Sequence, residues 1–167
     1  YIITGSTGGI GSAIIDYLLR SNDANEVLGI GRNYEKTALI HSKMDIAIEN
    51  RFHSVFIPEN DWKESNFNEI IYDNTFYDAD CLVVAHGYQP YVVEIGQIDE
   101  EMFIDILKSD VMQSFNIAQA CFYYMRRQTK GSIIFISSIH SIGTYPNRLC
   151  YSTVKSAITG MARSFAL

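Results

Sequence analysis

The sequence has little cysteine, no excess of positive charge and no long hydrophobic run, and each shortage argues against a class of protein. Its three cysteines are odd in number, widely spaced and never arranged as CxxC, which argues against a disulfide framework and predicts a reduced, cytoplasmic protein. The net charge of −6 argues against a nucleic-acid partner. No apolar stretch approaches the roughly twenty residues that span a bilayer. No signal-peptide pattern precedes the first strand either, so we expect no membrane partner.

The composition is that of one folded domain. Hydrophobic residues make up 47% and charged residues 19% of the chain, values typical of globular proteins. A length of 167 residues suits a single domain, 1–167, with a substantial core. The four histidines show none of the spacings of metal ligands, so we expect no metal site.

Short β-rich runs alternate with helical segments along the chain. The predicted strands are 1–4, 26–30, 51–57, 81–85 and 132–138. The predicted helices are about 11–20, most of 34–50, 98–127 with a break after its first turn, and the segment from Tyr151 onward; the polar stretch 58–80 receives no assignment. The strands are nearly continuous apolar runs, as in a parallel sheet covered on both faces. This order predicts a doubly wound, Rossmann-like α/β domain with three α/β/α layers.

A glycine cluster, TGSTGGIG at 4–11, joins the first strand to the first helix. Gly5 permits a sharp turn, Gly9 lets the backbone approach a pyrophosphate, and Gly11 lets the helix pack closely on the sheet. The positive end of the helix then favours phosphate groups. The spacing differs from the common G-x-G-x-x-G fingerprint, and a flexible connection is the alternative interpretation.

The second strand is followed by Gly31 and Arg32. In a dinucleotide-binding fold, a residue at this place meets the adenosine ribose. An acidic residue would accept hydrogen bonds from the ribose hydroxyls, whereas an arginine can pair with a 2′-phosphate. The sequence therefore favours NADP over NAD, with a solvated surface arginine as the alternative.

Tyr151 and Lys155 are four residues apart in the last predicted helix, so both side chains can reach one pocket. A tyrosine hydroxyl is ordinarily neutral, and a neighbouring ammonium group favours its phenolate form. Such a tyrosine can act as a general acid or base. Ser138 ends the fifth strand, where an open α/β sheet presents ligand-binding groups, and its hydroxyl can hold a substrate carbonyl oxygen.

The segments TGSTGGIG, ISS at 136–138 and YSTVK at 151–155, in this order and separation, resemble the short-chain dehydrogenase/reductase family. The resemblance covers essentially the whole chain. It implies that Ser138 orients the carbonyl, that Tyr151 is the acid/base, and that Lys155 favours ionisation of the tyrosine and binds the nicotinamide ribose. It also implies that the first turn holds the cofactor phosphates and adenosine through Gly5, Ser6, Gly9, Ile10 and Gly11.

Two departures from the family pattern stand out. Where relatives carry N-N-A-G after the fourth strand, this chain has Val84, Ala85, His86 and Gly87. Ala85 and Gly87 still let the backbone approach the cofactor, but the side-chain amides are missing. Where relatives place an asparagine that holds a water in a proton relay, the same register gives Asp110. The resemblance implies that this carboxylate accepts from the same water and adds a negative charge close to Lys155. We interpret this as an altered relay, with weakened or lost activity as the alternative.

The resemblance also carries expectations about the end of the chain and about assembly. Relatives continue into a sixth strand, a substrate-covering loop and a seventh strand, so we expect the given chain to end inside the domain. The segments FNIAQACFYYM and AITGMARSFAL are apolar around much of their helices, and such helices must be buried against something. In relatives the corresponding helices pair with their copies, which predicts a homodimer or homotetramer.

The predicted function is an NADP-preferring oxidoreductase, with NAD as the alternative cofactor, that interconverts a carbonyl and a secondary alcohol. An alternative of another class is a nucleotide-binding protein with weak or no catalysis that serves as a sensor or oligomer partner. An epimerase or dehydratase using the same Tyr–Lys couple is a third. The small-molecule substrate itself stays open.

Overall fold

Five parallel strands form the centre of the molecule in a computed structural model that describes residues 1–42, 46–87 and 92–167. The strands are β1 (Ile2–Thr4), β2 (Val27–Gly31), β3 (Phe52–Phe56), β4 (Cys81–Val84) and β5 (Ser132–Phe135). Their order in the sheet is β3-β2-β1-β4-β5, and every pairing is parallel. The chain therefore winds outward from the central β1 in both directions, which confirms the predicted doubly wound topology.

The helices are α1 (Gly9–Ser21), α2 (Tyr34–Ser42), α3 (Ile46–Glu49), α4 (Glu64–Asp73), α5 (Glu100–Ile106), α6 (Gln113–Gln128) and α7 (Leu149–Phe165). A π-helical segment, Leu107–Met112, joins α5 to α6. Short 3-10 turns lie at Glu59–Asp61, Ile95–Gln97 and Ile139–Ser141. Within the described ranges, none of these helices combines the length and the apolar character needed to cross a bilayer.

Alternate residues of each strand pack into two separate cores. Ile2, Leu82 and Val84 face one core, which Phe67 of α4 and Ile117 of α6 complete. The other core contains residues of opposite parity on the same strands and the buried side of α1; its members include Ile3, Cys81, Val83, Ile15 and Leu19. Burial of both sheet faces accounts for the continuous apolar runs of the strands. The three-layer α/β/α arrangement is thus confirmed.

The structure changes several of the predicted elements. Helix α1 begins at Gly9, two residues before the expected start. The segment expected to be mostly helical over 34–50 contains α2 and α3, and 43–45 lie outside the described residues. Helix α4 occupies the stretch that received no assignment. The break expected early in 98–127 was wrong, because the chain is helical throughout from Glu100 to Gln128, after capping by the Asp99 carboxylate.

Candidate active site

The glycine turn lies between the end of β1 and the start of α1, where close backbone packing fixes its shape. Gly5 has φ +67°, and a Cβ added there would lie 2.8 Å from the carbonyl oxygen of Ala85. A Cβ at Gly11 would lie 2.3 Å from the carbonyl oxygen of Gly5. Both positions therefore require glycine. The predicted roles of Gly5 in turning the chain and of Gly11 in close packing agree with these distances.

The outer side of the same turn is open. A Cβ added at Gly9 would meet nothing within 4 Å, and the Ile10 side chain is exposed. The backbone N–H groups of the first turn of a helix have no intrahelical partners, and they carry the positive end of the helix dipole. An anionic pyrophosphate fits this surface. The residues present thus suit a bound dinucleotide.

Ser6 lies on the inner side of the turn. It is fully buried, and its N–H donates to the carbonyl oxygen of Ile30 on β2 at 3.2 Å. Its Oγ is enclosed and would be 3.2 Å from a Cβ added at Gly31. Ser6 therefore ties the turn to the second strand, and its expected contact with a cofactor stays a prediction.

Arg32 follows β2 at the same edge of the sheet and lies beside two residues that were not predicted for the site. Its Nη1 is 3.0 Å from the Oε1 of Glu59. Its guanidinium carbon lies 6.0 Å from the ring centroid of the buried Trp62. Glu59 and Trp62 follow β3, the neighbour of β2, so parallel pairing brings them to Arg32. Glu59 and Trp62 thus hold the guanidinium beside the end of β2.

The end of β4 passes between the glycine turn and the catalytic residues predicted from the sequence. A Cβ at Gly87 would lie 3.1 Å from Lys155 Nζ and 3.4 Å from Asp110 Oδ2. Ala85 packs against Gly5, as described above. Between them, His86 is buried, and this burial, together with the positive charges of Arg32 and Lys155, lowers its pKa to about 3. His86 is therefore a neutral residue inside the site.

Tyr151 and Lys155 lie on one face of α7. Lys155 Nζ is 5.7 Å from the centroid of the Tyr151 ring, and it donates a hydrogen bond to the carbonyl oxygen of Ile136 at 3.4 Å. The side chain of Lys155 is almost completely buried. The four-residue spacing thus brings the phenol and the ammonium group together, as the sequence predicts.

The prediction that Ser138 ends the fifth strand was wrong, because pairing with β4 stops at Phe135 and β5 ends there. Ser138 lies three residues beyond the strand and caps the 3-10 turn that begins at Ile139. Its Oγ accepts a hydrogen bond from the N–H of His140 at 3.2 Å. The His140 ring packs edge-on against Tyr151, with centroids 5.2 Å apart. His140 therefore connects the serine turn to the tyrosine, in agreement with its interpretation as a pocket-lining residue.

Asp110 is buried in the π-helical segment, and its Oδ2 lies 3.8 Å from Lys155 Nζ. A π-helical turn inserts one residue into a helix and often occurs at functional sites. Here it carries a carboxylate to ion-pair distance from the lysine. The residue that departs from the family pattern thus contacts the predicted catalytic couple directly.

A small apolar cleft lies beside Tyr151. Its lining residues come from 92–106 and from 147–151, and they are Val93, Ile98, Met102, Ile106, Asn147, Arg148, Cys150 and Tyr151. Cys150 itself is buried against Ile106 and Val154, and burial raises the pKa of its thiol. This agrees with its interpretation as a core residue rather than a nucleophile. Among the described residues, no three His, Cys, Asp or Glu side chains come together as a metal site requires.

A glycine turn at the head of α1, set beside the carboxyl ends of a doubly wound parallel sheet, defines a dinucleotide-binding α/β domain. Comparison with known proteins specifies the family. The family model described as short chain dehydrogenase matches residues 1–167. The chain belongs to this family, whose members are NAD(P)-dependent dehydrogenases and reductases.

Two curated relatives illustrate the range of the family. L-fucose dehydrogenase of Rattus norvegicus is 26% identical over 174 residues, which cover 99% of this chain and 58% of that protein. D-beta-hydroxybutyrate dehydrogenase of Rhizobium meliloti (strain 1021) is 29% identical over 169 residues, which cover 99% of this chain and 64% of that protein. The chain thus spans about three fifths of the length of these relatives.

Solved structures agree with the fold. A tyrosine-to-phenylalanine variant of ElxO with NADPH bound superposes with a TM-score of 0.86 at 22% identity, covering 99% of this chain and 67% of that one. NAD⁺-bound xylitol dehydrogenase gives a TM-score of 0.80 at 20% identity, covering 99% of this chain and 64% of that one. Both nicotinamide cofactors are therefore represented among proteins of this fold.

Proposed function

We propose that the whole protein is a cytoplasmic, NADP-preferring oxidoreductase that interconverts a carbonyl and a secondary alcohol, with Tyr151 as the acid/base. The observation that carries this proposal is the placement of the buried Lys155 ammonium 5.7 Å from the Tyr151 ring centroid and against the backbone of Gly87. The three cysteines are free and buried, which suits a reducing compartment.

A bound nicotinamide cofactor would supply or accept the hydride. In the reducing direction, the Tyr151 hydroxyl gives its proton to the oxygen of the substrate carbonyl, and the nearby ammonium group of Lys155 stabilises the phenolate that remains. The Ser138 oxygen accepts from the His140 N–H, so its own hydrogen can be donated to the same carbonyl oxygen. Asp110 holds Lys155 in this position through their ion pair.

The role of Tyr151 is tested by a Tyr151→Phe variant of the full-length protein, assayed for NADPH oxidation with a panel of ketones, hydroxysteroid precursors and sugars. General acid–base catalysis contributes about 10²- to 10⁴-fold, so kcat should fall by that factor. Binding of NADPH, measured by fluorescence titration, should persist. Tyr145→Phe is the matched control, because Tyr145 also packs against His140 but is largely exposed.

Retention of wild-type turnover by the Tyr151→Phe variant would contradict the proposed role. NADPH binding by the wild-type protein without turnover of any panel compound would instead favour the alternative function, a nucleotide-binding protein without efficient catalysis. That alternative draws support from the Asp110 carboxylate, which forms an ion pair with the Lys155 ammonium group and so weakens its effect on Tyr151.

The preference for NADP rests on Arg32. Its guanidinium lies at the end of β2 and is oriented by Glu59 and Trp62, and an arginine pairs well with a 2′-phosphate. Hydrogen bonds to charged groups contribute about 1.5–3 kcal/mol, so Arg32→Ala should weaken NADPH binding roughly 10- to 100-fold and leave NADH binding nearly unchanged. Glu59→Gln should strengthen NADPH binding, because the amide oxygen can still accept from Arg32 while the negative charge that would repel a 2′-phosphate is removed. Equal loss of both cofactors in Arg32→Ala would contradict the assignment.

The protein is proposed to form a homodimer or homotetramer through α6 and α7. Phe115 and Tyr123 of α6 are partly exposed, as is Met112 at the end of the π-helical segment. Light scattering coupled to gel filtration of the full-length protein should give a mass of two or four subunits, and Tyr123→Glu should lower it. A monomeric mass at micromolar concentration would contradict the proposal.

A further inference from the structure

His86 lies between the strand end that precedes the glycine turn and helix α6. It follows β4 by two residues and is buried. Its Nδ1 is 2.7 Å from the hydroxyl of Thr4, the last residue of β1, and its Nε2 is 3.2 Å from the hydroxyl of Ser114 at the start of α6. One side chain thus joins two elements that belong to different parts of the site.

The hydrogen bonds around His86 select one tautomer. The Ser114 hydroxyl has a single hydrogen, and it donates that hydrogen to the carbonyl oxygen of Asp110, four residues earlier. Ser114 must therefore accept from His86, so the proton of the ring lies on Nε2. Nδ1 is then an acceptor, and Thr4 donates to it. The low pKa of His86 keeps the ring neutral near pH 7, as this arrangement requires.

The other end of this chain of hydrogen bonds is the backbone of Asp110. Its carbonyl oxygen accepts from Ser114 and also from the N–H of Gln113. Both bonds fix the π-helical turn that carries the Asp110 carboxylate to Lys155. A displacement of this turn would move the carboxylate relative to the ammonium group.

We propose that His86 is a positioning residue for Lys155. Through Ser114 it holds the π-helical segment that carries Asp110 at a fixed position relative to the glycine turn. The Asp110–Lys155 ion pair then keeps its place beside the surface that suits a cofactor. The inference rests on the proposed function, because it assigns His86 to the proper placement of the catalytic lysine. His86 itself does not touch the reacting atoms.

Three variants of the full-length protein separate the bonds of His86. His86→Gln retains an N–H group that can reach Ser114, whereas His86→Phe retains a ring and loses both bonds. Ser114→Ala breaks the same link from the helix side. A misplacement of about 1 Å can lower the rate by about 100-fold. We therefore expect kcat to fall by roughly 10- to 100-fold in His86→Phe and Ser114→Ala.

The KM for NADPH and the behaviour of the conservative variant distinguish positioning from a general loss of structure. Interactions felt mainly in the transition state lower kcat and leave KM within about threefold, and His86→Gln should keep kcat within about threefold of the wild type. His86 packs edge-on against the Trp62 ring, with centroids 4.8 Å apart. His53→Phe is the matched control, because His53 packs in the same way against Phe76 but lies on β3. It should keep wild-type kinetics.

Coupling between the variants tests the route through Ser114 and Asp110. Because one chain of bonds is broken in each case, the double variant His86→Phe/Ser114→Ala should be no slower than the slower single variant. In an Asp110→Asn background, His86→Phe should cause little further loss of kcat. A double variant whose fold-loss of kcat equals the product of the two single losses, in either combination, would overturn the proposal.

Nuclear magnetic resonance supplies a readout that does not depend on turnover. The ¹⁵N spectrum of the His86 ring should show a neutral Nε2–H tautomer, and the ¹³C signal of the Asp110 carboxylate should move in Ser114→Ala and His86→Phe but not in His86→Gln. If the wild-type protein turns over no carbonyl, the proposed function fails while these spectra still decide the role of His86. An Nδ1–H tautomer, or an Asp110 signal that is unmoved in Ser114→Ala, would overturn the proposal.

Discussion

Acidification should weaken the fold through His86, and the size of the effect follows from its environment. An ordinary histidine takes up a proton near pH 6.5, but burial and two nearby positive charges lower the pKa of His86 to about 3. Between these pH values the unfolded chain binds a proton at His86 that the folded chain does not bind. Stability from this residue is therefore complete above pH 6.5 and is lost as the pH falls.

The size of the loss depends on the difference between the two pKa values. Each pH unit below 6.5 removes about 1.36 kcal/mol, so about 2 kcal/mol is lost at pH 5. His86→Gln lacks the titrating ring and should lack this part of the pH dependence. Urea unfolding at pH 7.5 and pH 5, at one protein concentration and followed by the fluorescence of the buried Trp62, measures the difference. His53→Gln should behave like the wild type, because it leaves the His86 pocket intact.

Parallel pH dependence of the wild type and His86→Gln, within about 0.5 kcal/mol, would contradict a lowered pKa of His86 in the folded state, since that is the usual error of comparing independent variants. It would mean that the folded state accommodates a proton on His86, either by admitting water or by rotating the ring.

Two further predictions concern the ion pair and the glycine turn. Lys155→Met leaves the Asp110 carboxylate buried without the ammonium group. The Coulomb attraction of the two charges at 3.8 Å is about 4 kcal/mol at an effective dielectric constant of about 20. Urea unfolding should therefore show that the free energy of unfolding falls by roughly 3–5 kcal/mol. Most of it should return in Lys155→Met/Asp110→Asn, and a single-variant loss under about 1 kcal/mol would argue against a buried pair. Gly11→Ala places a methyl group 2.3 Å from the Gly5 carbonyl oxygen and should lower stability by roughly 1–3 kcal/mol and weaken NADPH binding. Gly143→Ala, where nothing lies within 4 Å, is its control, and equal melting temperatures of the two variants would contradict the turn geometry.

The parts of the fold that the sequence predicts are those with a strong local pattern. The run CLVV of β4 is apolar at every position because alternate residues face different cores. Helix α4 carries a weaker pattern. Only Phe67 and Ile71 are buried in this helix. The rest of the segment is mostly polar, so its sequence does not indicate a helix.

The contacts of the site likewise fall into those that local spacing predicts and those that depend on the packed fold. Tyr151 and Lys155 are four residues apart, and their contact follows from helical geometry. Arg32 and Glu59 are 27 residues apart, and their pairing depends on the adjacency of two strands. The one sign of Glu59 in the sequence was its place after a strand, at the edge of the sheet where ligands bind.

His86 shows most clearly which contacts the sequence does not predict. The sequence marked it as a departure from the family pattern, but its partners lie 82 and 28 residues away. Only the packed structure brings the two hydroxyl groups to the ring. The π-helical turn likewise has no distinctive composition in LKSDVM. The proximity of Asp110 to Lys155 was expected from the resemblance to the family, whereas the direct ion pair is seen only in the structure.

The central place of the three-residue strand β1 has a consequence for the order of folding. Its first residue pairs with Leu28 on one side and with Leu82 on the other. During synthesis the β1–β2–β3 half can form early, because β4 leaves the ribosome later. In the complete chain, pairing of β1 with β4 still closes a loop of about 80 residues, which also delays the second half. Until that moment one edge of β1 is open to other chains. Pulse-labelling of amide exchange during refolding should accordingly show the amides of β2 and β3 protected before those of β4 and β5.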